Sequence, residues 1–291
     1  MRAHARPMAL KSPKHTEYRL TFELVVSQGR IADRTRGAIP GAAKTAEALR
    51  QQTGLSPTVV GTPAPPKSDD WSTSLPEASG TLTALQAAVR AILERSNTPL
   101  IAANTCSASL ATLPVVARAH PDITILWIDA HGDFNTPTTT ESGYLGGMVL
   151  AAACGCWDSG FGDGVDPSKV VIAGARDIDP AEEALLRHAG VRVLSPAQTS
   201  PGSILSAIGN GPVWIHVDWD VLEPGHVPAA YAIAKGLLPE TLRAIFEQIP
   251  RRQIIGIELA EFEASEDEAE NARALAFLLR AISPLIATRQ E

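Results

Sequence analysis

Two short apolar runs in this chain each lead into acidic residues placed at every second position. Residues 123–128 (Ile-Thr-Ile-Leu-Trp-Ile) precede Asp129-Ala-His131-Gly-Asp133-Phe-Asn135, and residues 212–215 (Pro-Val-Trp-Ile) precede His216-Val-Asp218-Trp-Asp220. Apolar runs of this length read as buried strands. Side chains alternate faces along a strand. Continued extension past Ile128 would therefore aim Asp129, His131 and Asp133 into one pocket, and Asp218 and Asp220 would share a face. Buried carboxylates repel one another and are costly to desolvate unless a cation joins them. A pair of Asp at a strand end also serves to cap the next turn, so the second block alone is ambiguous. Together the blocks supply four Asp and one His, enough to hold two divalent ions through shared carboxylates. A donor set this rich in oxygen favours manganese or magnesium over zinc.

The rest of the chain sets these blocks in an α/β frame. Strand-like runs fall at residues 20–26, 58–61, 99–103, 123–129, 170–174, 191–194, 212–218 and 253–259. Helix-like segments lie between or after them, at 41–52, 75–96, 107–120, 145–154, 180–188, 203–207, 239–248 and 265–282. This alternation predicts a three-layer α/β/α fold with a mostly parallel central sheet. Both acidic blocks then sit at strand C-termini, where ligands of open α/β sheets bind. The Pro-rich stretch 61–71 reads as a surface loop.

With 291 residues, 45% of them hydrophobic, the chain is long enough for one large core, expected over residues 20–291. Residues 1–19 are basic, lack an apolar signal-like core and are expected to form a disordered extension. A net charge of −7 argues against a nucleic-acid partner. No run of apolar residues is long enough for a membrane span. Three cysteines, Cys106, Cys154 and Cys156, are expected to be reduced thiols in a cytoplasmic protein.

The two blocks, taken with Asn135-Thr-Pro137, Ser142-Gly143, Arg176-Asp-Ile-Asp-Pro180 and Glu258-Leu-Ala-Glu261, resemble the ureohydrolases, the family of arginases and agmatinases. The resemblance runs from about Leu24 to the last helix. It implies two Mn(II) ions per chain and a metal-bridging hydroxide that attacks a guanidino carbon. One ion would be held by Cys106, Asp129, Asp133 and Asp218, the other by Asp129, His131, Asp218 and Asp220. Asp133 would also carry a proton to the leaving amine, and Glu261 would pair with the guanidinium. Asn135, Ser142 and Asp179 match contacts to an α-amino acid, and Glu182 matches a supporting acid. The implied partner is a small guanidino or hydroxyguanidino amino acid, and the resemblance allows a homo-oligomer.

Departures from the family pattern bear on the substrate. Cys106 stands where a histidine ligand is usual, and a thiolate is a softer donor that favours zinc or cobalt more than imidazole would. Gly146 takes the place of a proton-shuttling His, Tyr144 that of a substrate-contacting Asn, and Ala232 that of a Thr. Glu223-Pro224 replaces Asp-Pro. This combination resembles the branch of the family that converts N-ω-hydroxy-L-arginine to hydroxyurea and L-ornithine in antibiotic biosynthesis. Two other readings stay open: an arginase or guanidino-acid hydrolase with an altered proton relay, and a non-catalytic arginase-like binding protein.

Overall fold

The computed structural model describes residues 20–287. The expectation for residues 1–19 falls outside that range. Eight strands, β1 (Phe22–Ser27), β2 (Thr58–Val60), β3 (Thr98–Ala102), β4 (Thr124–Ile128), β5 (Val170–Ala173), β6 (Arg192–Leu194), β7 (Val213–Asp218) and β8 (Ile254–Ala260), form one sheet. Their order is β2-β1-β3-β8-β7-β4-β5-β6, and every pairing is parallel. Strands are rich in Val and Ile and the central ones are buried on both faces, as a sheet covered on two sides requires.

The helices are α1 (Ala38–Thr53), α2 (Trp71–Glu94), α3 (Ser109–Ala119), α4 (Val149–Ala153), α5 (Pro180–Ala189), α6 (Pro201–Ile208), α7 (Pro239–Gln248) and α8 (Glu268–Ile286). They split into two layers by the period-two alternation of the strands. On β4, Ile125 and Trp127 pack into one core with Leu82 of α2, Leu110 of α3 and Leu186 of α5. Leu126 and Ile128 pack into the other, with Leu49 of α1, Ile204 of α6, Leu242 of α7 and Ile282 of α8. The expected three-layer architecture is therefore present.

Several boundaries differ from the sequence reading for identifiable reasons. Helix α2 starts at Trp71 rather than residue 75, because the Asp70 carboxylate caps Ser72 N and Thr73 N. Helix α1 starts at Ala38, since Pro40 is tolerated in a first helical turn. The single helix expected over 145–154 is instead a 3₁₀ turn, Gly146–Met148, followed by the short α4. Gly41 lets α1 lie directly against the Phe262 carbonyl, where any β-carbon would collide, and so fixes the chain just past β8.

The chain order places the site. Strands β3 and β4 are consecutive, yet β8 and β7 stand between them. From this centre the strands run outward through β1 and β2 on one side and β5 and β6 on the other. Such a reversal opens a crevice at the strand C-termini. All four central strands deliver an acidic or thiol side chain into it. Among the described residues, no helix is long and apolar enough to cross a membrane.

Candidate metal centre

The four strand ends are tied together by their own functional groups. After β4, the Asp129 carboxylate accepts from His131 N at 2.7 Å and from the Trp127 indole N–H at 3.0 Å. At the end of β7, Asp218 accepts from Asp220 N at 2.8 Å and so caps the 3₁₀ turn Trp219–Val221. Asp220 in turn accepts from Ala130 N at 3.1 Å, which joins the β4 and β7 ends. After β3, Cys106 opens a 3₁₀ turn, and its N–H donates to Glu261 Oε1 of the β8 end at 3.0 Å. The Arg176 guanidinium fixes the surrounding backbone by donating to the carbonyls of Gly174, Asp220, Val221 and Ile233.

Donor atoms converge closely. His131 Nδ1 lies 3.3 Å from Asp129 Oδ1 and 3.0 Å from Asp220 Oδ2. Cys106 Sγ lies 3.1 Å from Asp218 Oδ2 and 3.9 Å from Asp129 Oδ2. Three tight clusters result among the described residues: Asp129–His131–Asp220, Cys106–Asp218–Glu261 and Cys106–Asp129–His216. Convergence does not come from continued strand alternation, as the spacing had implied. β4 stops at Ile128, Asp133 takes a left-handed φ of 48°, and Asp220 sits in the 3₁₀ turn. Asp133 lines the same cavity but belongs to none of the three clusters.

Burial makes this an unfavourable place for negative charge. Desolvation, then repulsion from neighbouring carboxylates, pushes Asp218 and Asp133 well above the usual carboxylate range. Burial also raises Asp220 to about 6 and Glu261 to about 8. The Cys106 thiol is driven up by burial and by Asp218. Burial opposes ionisation of Asp129 as well, but His131 outweighs it and holds that carboxyl below its ordinary value. A cation among these groups reverses the penalty, because each anionic donor then gains a counter-charge. Asp129, Asp218, Asp220 and Cys106, all buried, converge with the half-buried His131 as a donor set that fits divalent metal.

The donors open onto a cavity of about 220 Å³ that also contains Asn135, Ser142, Tyr144, Asp179, Glu182 and Glu261. A larger surface hollow of about 830 Å³, between residues 224–229 and α8, contains none of the clustered donors. Asp179 occupies the N-cap position of α5 but its side chain makes no capping hydrogen bond, so its carboxylate is left to the cavity. Glu182 is buried and accepts from Phe134 N at 2.7 Å, which anchors the 131–134 turn. Burial raises it to about 7.

Glu261 is buried rather than exposed as a strand-end glutamate usually is, and its backbone is left-handed, with φ 62°. The Tyr144 hydroxyl donates to Glu261 Oε1 at 3.1 Å. Since Cys106 N binds the same oxygen, Oε2 is left for a ligand. The Tyr144 ring lies over Gly146, against the place any β-carbon there would occupy. The Tyr231 ring packs against it at a 44° tilt, with centroids 5.4 Å apart, and the Arg34 guanidinium lies 5.0 Å from the Tyr144 ring centre. Sequence reasoning missed Arg34, Asp177 and Tyr231 as cavity residues, and no local pattern marks the first or last. It also left His216 unassigned, although His216 shares the period-two spacing of its block.

A model of the arginase family matches residues 29–283. An N(omega)-hydroxy-L-arginine amidinohydrolase from Streptomyces lavendulae is 52% identical over 263 residues, covering 90% of this chain and 96% of that protein. The native structure of an arginase from Bacillus caldovelox aligns with a TM-score of 0.78 at 21% identity, over 94% of this chain and 100% of its own. An arginase from Entamoeba histolytica, in complex with L-ornithine, aligns with a TM-score of 0.80 at 18% identity, over 92% and 98%. At these identities the two structures speak to the fold.

Proposed function

The chain belongs to the arginase family and is a hydrolase of guanidino compounds, and from that premise we propose that it cleaves N-ω-hydroxy-L-arginine with water to hydroxyurea and L-ornithine. The observation that carries the substrate is Tyr144 folded over Gly146 with its hydroxyl on Glu261. Arginases resemble this pocket but place a proton-shuttling histidine at the position of Gly146. A hydroxylated guanidine is less basic than a guanidinium, so its demand for proton handling differs. Its extra oxygen also suits a site where a phenol faces the guanidino-binding carboxylate.

Bound at the strand ends, two manganese ions would supply Lewis-acid activation of the attacking water. Cys106, Asp129, Asp133 and Asp218 would hold one, and Asp129, His131, Asp218 and Asp220 the other. Glu261 Oε2 accepts from a guanidino N–H and turns the reacting carbon toward the metal-binding carboxylates. Asp133, on the cavity side of the cluster, passes a proton to the leaving amine. Asn135 and Ser142 face the substrate carboxylate and Asp179 its ammonium. Glu182 holds the turn that carries His131 and Asp133.

The same amino-acid contacts suit L-arginine, which keeps an arginase with an altered relay as the second reading. A non-catalytic relative is disfavoured because the acidic donors are all retained. Manganese-loaded protein offered N-ω-hydroxy-L-arginine, L-arginine and agmatine separately decides between them. Ornithine is expected far faster from hydroxyarginine than from arginine, with agmatine inert. Equal or faster turnover of arginine would overturn the substrate assignment, and failure to bind two ions would overturn the mechanism.

Restoring the family histidine is not expected to restore an arginase. In Gly146→His the new side chain must displace the Tyr144 ring, and such overpacking costs about 1–3 kcal/mol. A lower melting temperature and a raised KM for hydroxyarginine are expected, without a gain on arginine. A gain on arginine from this single change would show that Tyr144 moves aside freely.

A further inference from the structure

The ligand set above leaves one buried histidine without a task. His216 is fully buried on β7, two residues before Asp218 and in phase with it. Its register partners on the neighbouring strands are Trp127 and Glu258. The ring lies flat on the Trp127 indole, with centroids 3.5 Å apart and planes 3° from parallel. Nδ1 is 3.2 Å from Glu258 Oε2 and 3.3 Å from Ser109 Oγ. Glu258 is itself fully buried and accepts from Ser109 Oγ at 2.7 Å and from Thr112 Oγ1 at 3.2 Å. An Nδ1–H that donates to Glu258 leaves the Nε2 lone pair free. Nε2 is aimed at Cys106 Sγ, 3.3 Å away.

We propose that His216 Nε2 is a ligand of the ion held by Cys106, with Glu258 as the carboxylate that orients it. The proposal rests on the two-metal reading. Donors bound to one ion at about 2.0–2.3 Å stand roughly 3.0–3.6 Å apart, the separation seen between Sγ and Nε2. Asp129 completes that cluster. A metal-bound histidine almost always donates its other N–H to a carboxylate or carbonyl, which is the arrangement Glu258 provides. The flat stack on Trp127 and the strand pairing on both sides leave the ring one orientation. The exchange is also sterically coherent: β3 delivers a small thiol, and β7, separated from it only by β8, delivers the imidazole. His216 thus supplies nitrogen to a centre whose Asp133 stands outside the tight clusters.

Metal binding tests this directly. Protein stripped by chelation is titrated with Mn(II) and with Co(II), following stoichiometry, affinity and the X-ray absorption of the cobalt form. Wild type is expected to take up two ions whose extended X-ray absorption fine structure requires two histidine nitrogens between them. His216→Ala is expected to bind one ion about 100-fold more weakly or lose it, and Glu258→Gln to weaken the same ion about 10- to 100-fold. One nitrogen shell should disappear in His216→Ala while circular dichroism stays native. Unchanged affinity and an unchanged nitrogen shell in that variant would overturn the proposal. If His216→Ala does not fold, the wild-type spectrum decides: a single histidine nitrogen for two ions overturns the proposal by itself. Wild type that never binds two ions would instead refute the two-metal reading on which the proposal rests.

Discussion

Replacing Asp218 with asparagine is expected to cost the protein bound metal and, with it, turnover by about 10³- to 10⁵-fold, the rate equivalent of several kcal/mol of metal-derived stabilisation. Asp218 is placed between the two donor groups, 3.1 Å from Cys106 Sγ and linked through Asp220 N to the His131 side. Asparagine keeps an oxygen that can accept from Asp220 N, so the turn Trp219–Val221 should survive. What it removes is the negative charge that the proposed pair of cations would share. In the metal-free protein that charge is a burden, because burial and the carboxylates of Asp220, Asp129 and Glu261 oppose it. The variant should therefore melt at or above the wild-type temperature in chelator, yet gain little when manganese is added. Wild type should show the reverse: lower in chelator and markedly higher with metal, as binding to the folded state alone requires. Thermal melts with and without Mn(II), read beside metal analysis, check both halves. Full activity in a variant with two bound ions would remove Asp218 from the centre.

The strands were legible because each is a compact apolar run bounded by turn residues, and all eight expected runs overlap a strand. Convergence of Asp129, Asp218 and Cys106 was also legible, since all three lie at or just past strand C-termini. The route by which His131, Asp133 and Asp220 join them was not. Alternation along an extended chain predicted the right cavity for a reason the backbone does not obey: β4 ends at Ile128 and Asp133 is left-handed. A left-handed φ at Asp133 or Glu261 leaves no mark in a sequence, because neither residue is glycine. Contacts between distant segments were equally silent. Tyr144 and Glu261 are 117 residues apart, and only their hydrogen bond explains why residue 146 must lack a side chain. His216 was visible in its motif, but its role depends on Glu258 and Trp127 from the two flanking strands, which only the sheet order brings to it.

Glu261→Gln is expected to leave both metal ions in place while lowering kcat/KM by about 10²- to 10⁴-fold, the loss that follows when one partner of a buried charge-assisted pair is removed. Glutamine retains an oxygen for Cys106 N and for the Tyr144 hydroxyl, so the local backbone contacts persist. Its amide cannot supply the anionic Oε2 that the proposed guanidino contact would use. The size of the loss should depend on the substrate. Glu261 is raised to about 8 by burial, despite the Cys106 N–H that favours its charged form. Binding a cationic guanidinium would pull that carboxyl back toward ionisation, whereas a less basic hydroxyguanidine draws on its charge less. The penalty in Glu261→Gln should accordingly be greater for L-arginine than for N-ω-hydroxy-L-arginine, measured as kcat/KM on each with metal content held at wild-type levels. Equal penalties would mean that Glu261 recognises the planar shape and N–H pattern of the group rather than its charge. The proposed preference for the hydroxylated substrate would then have to come from Tyr144 and the space around Gly146 alone.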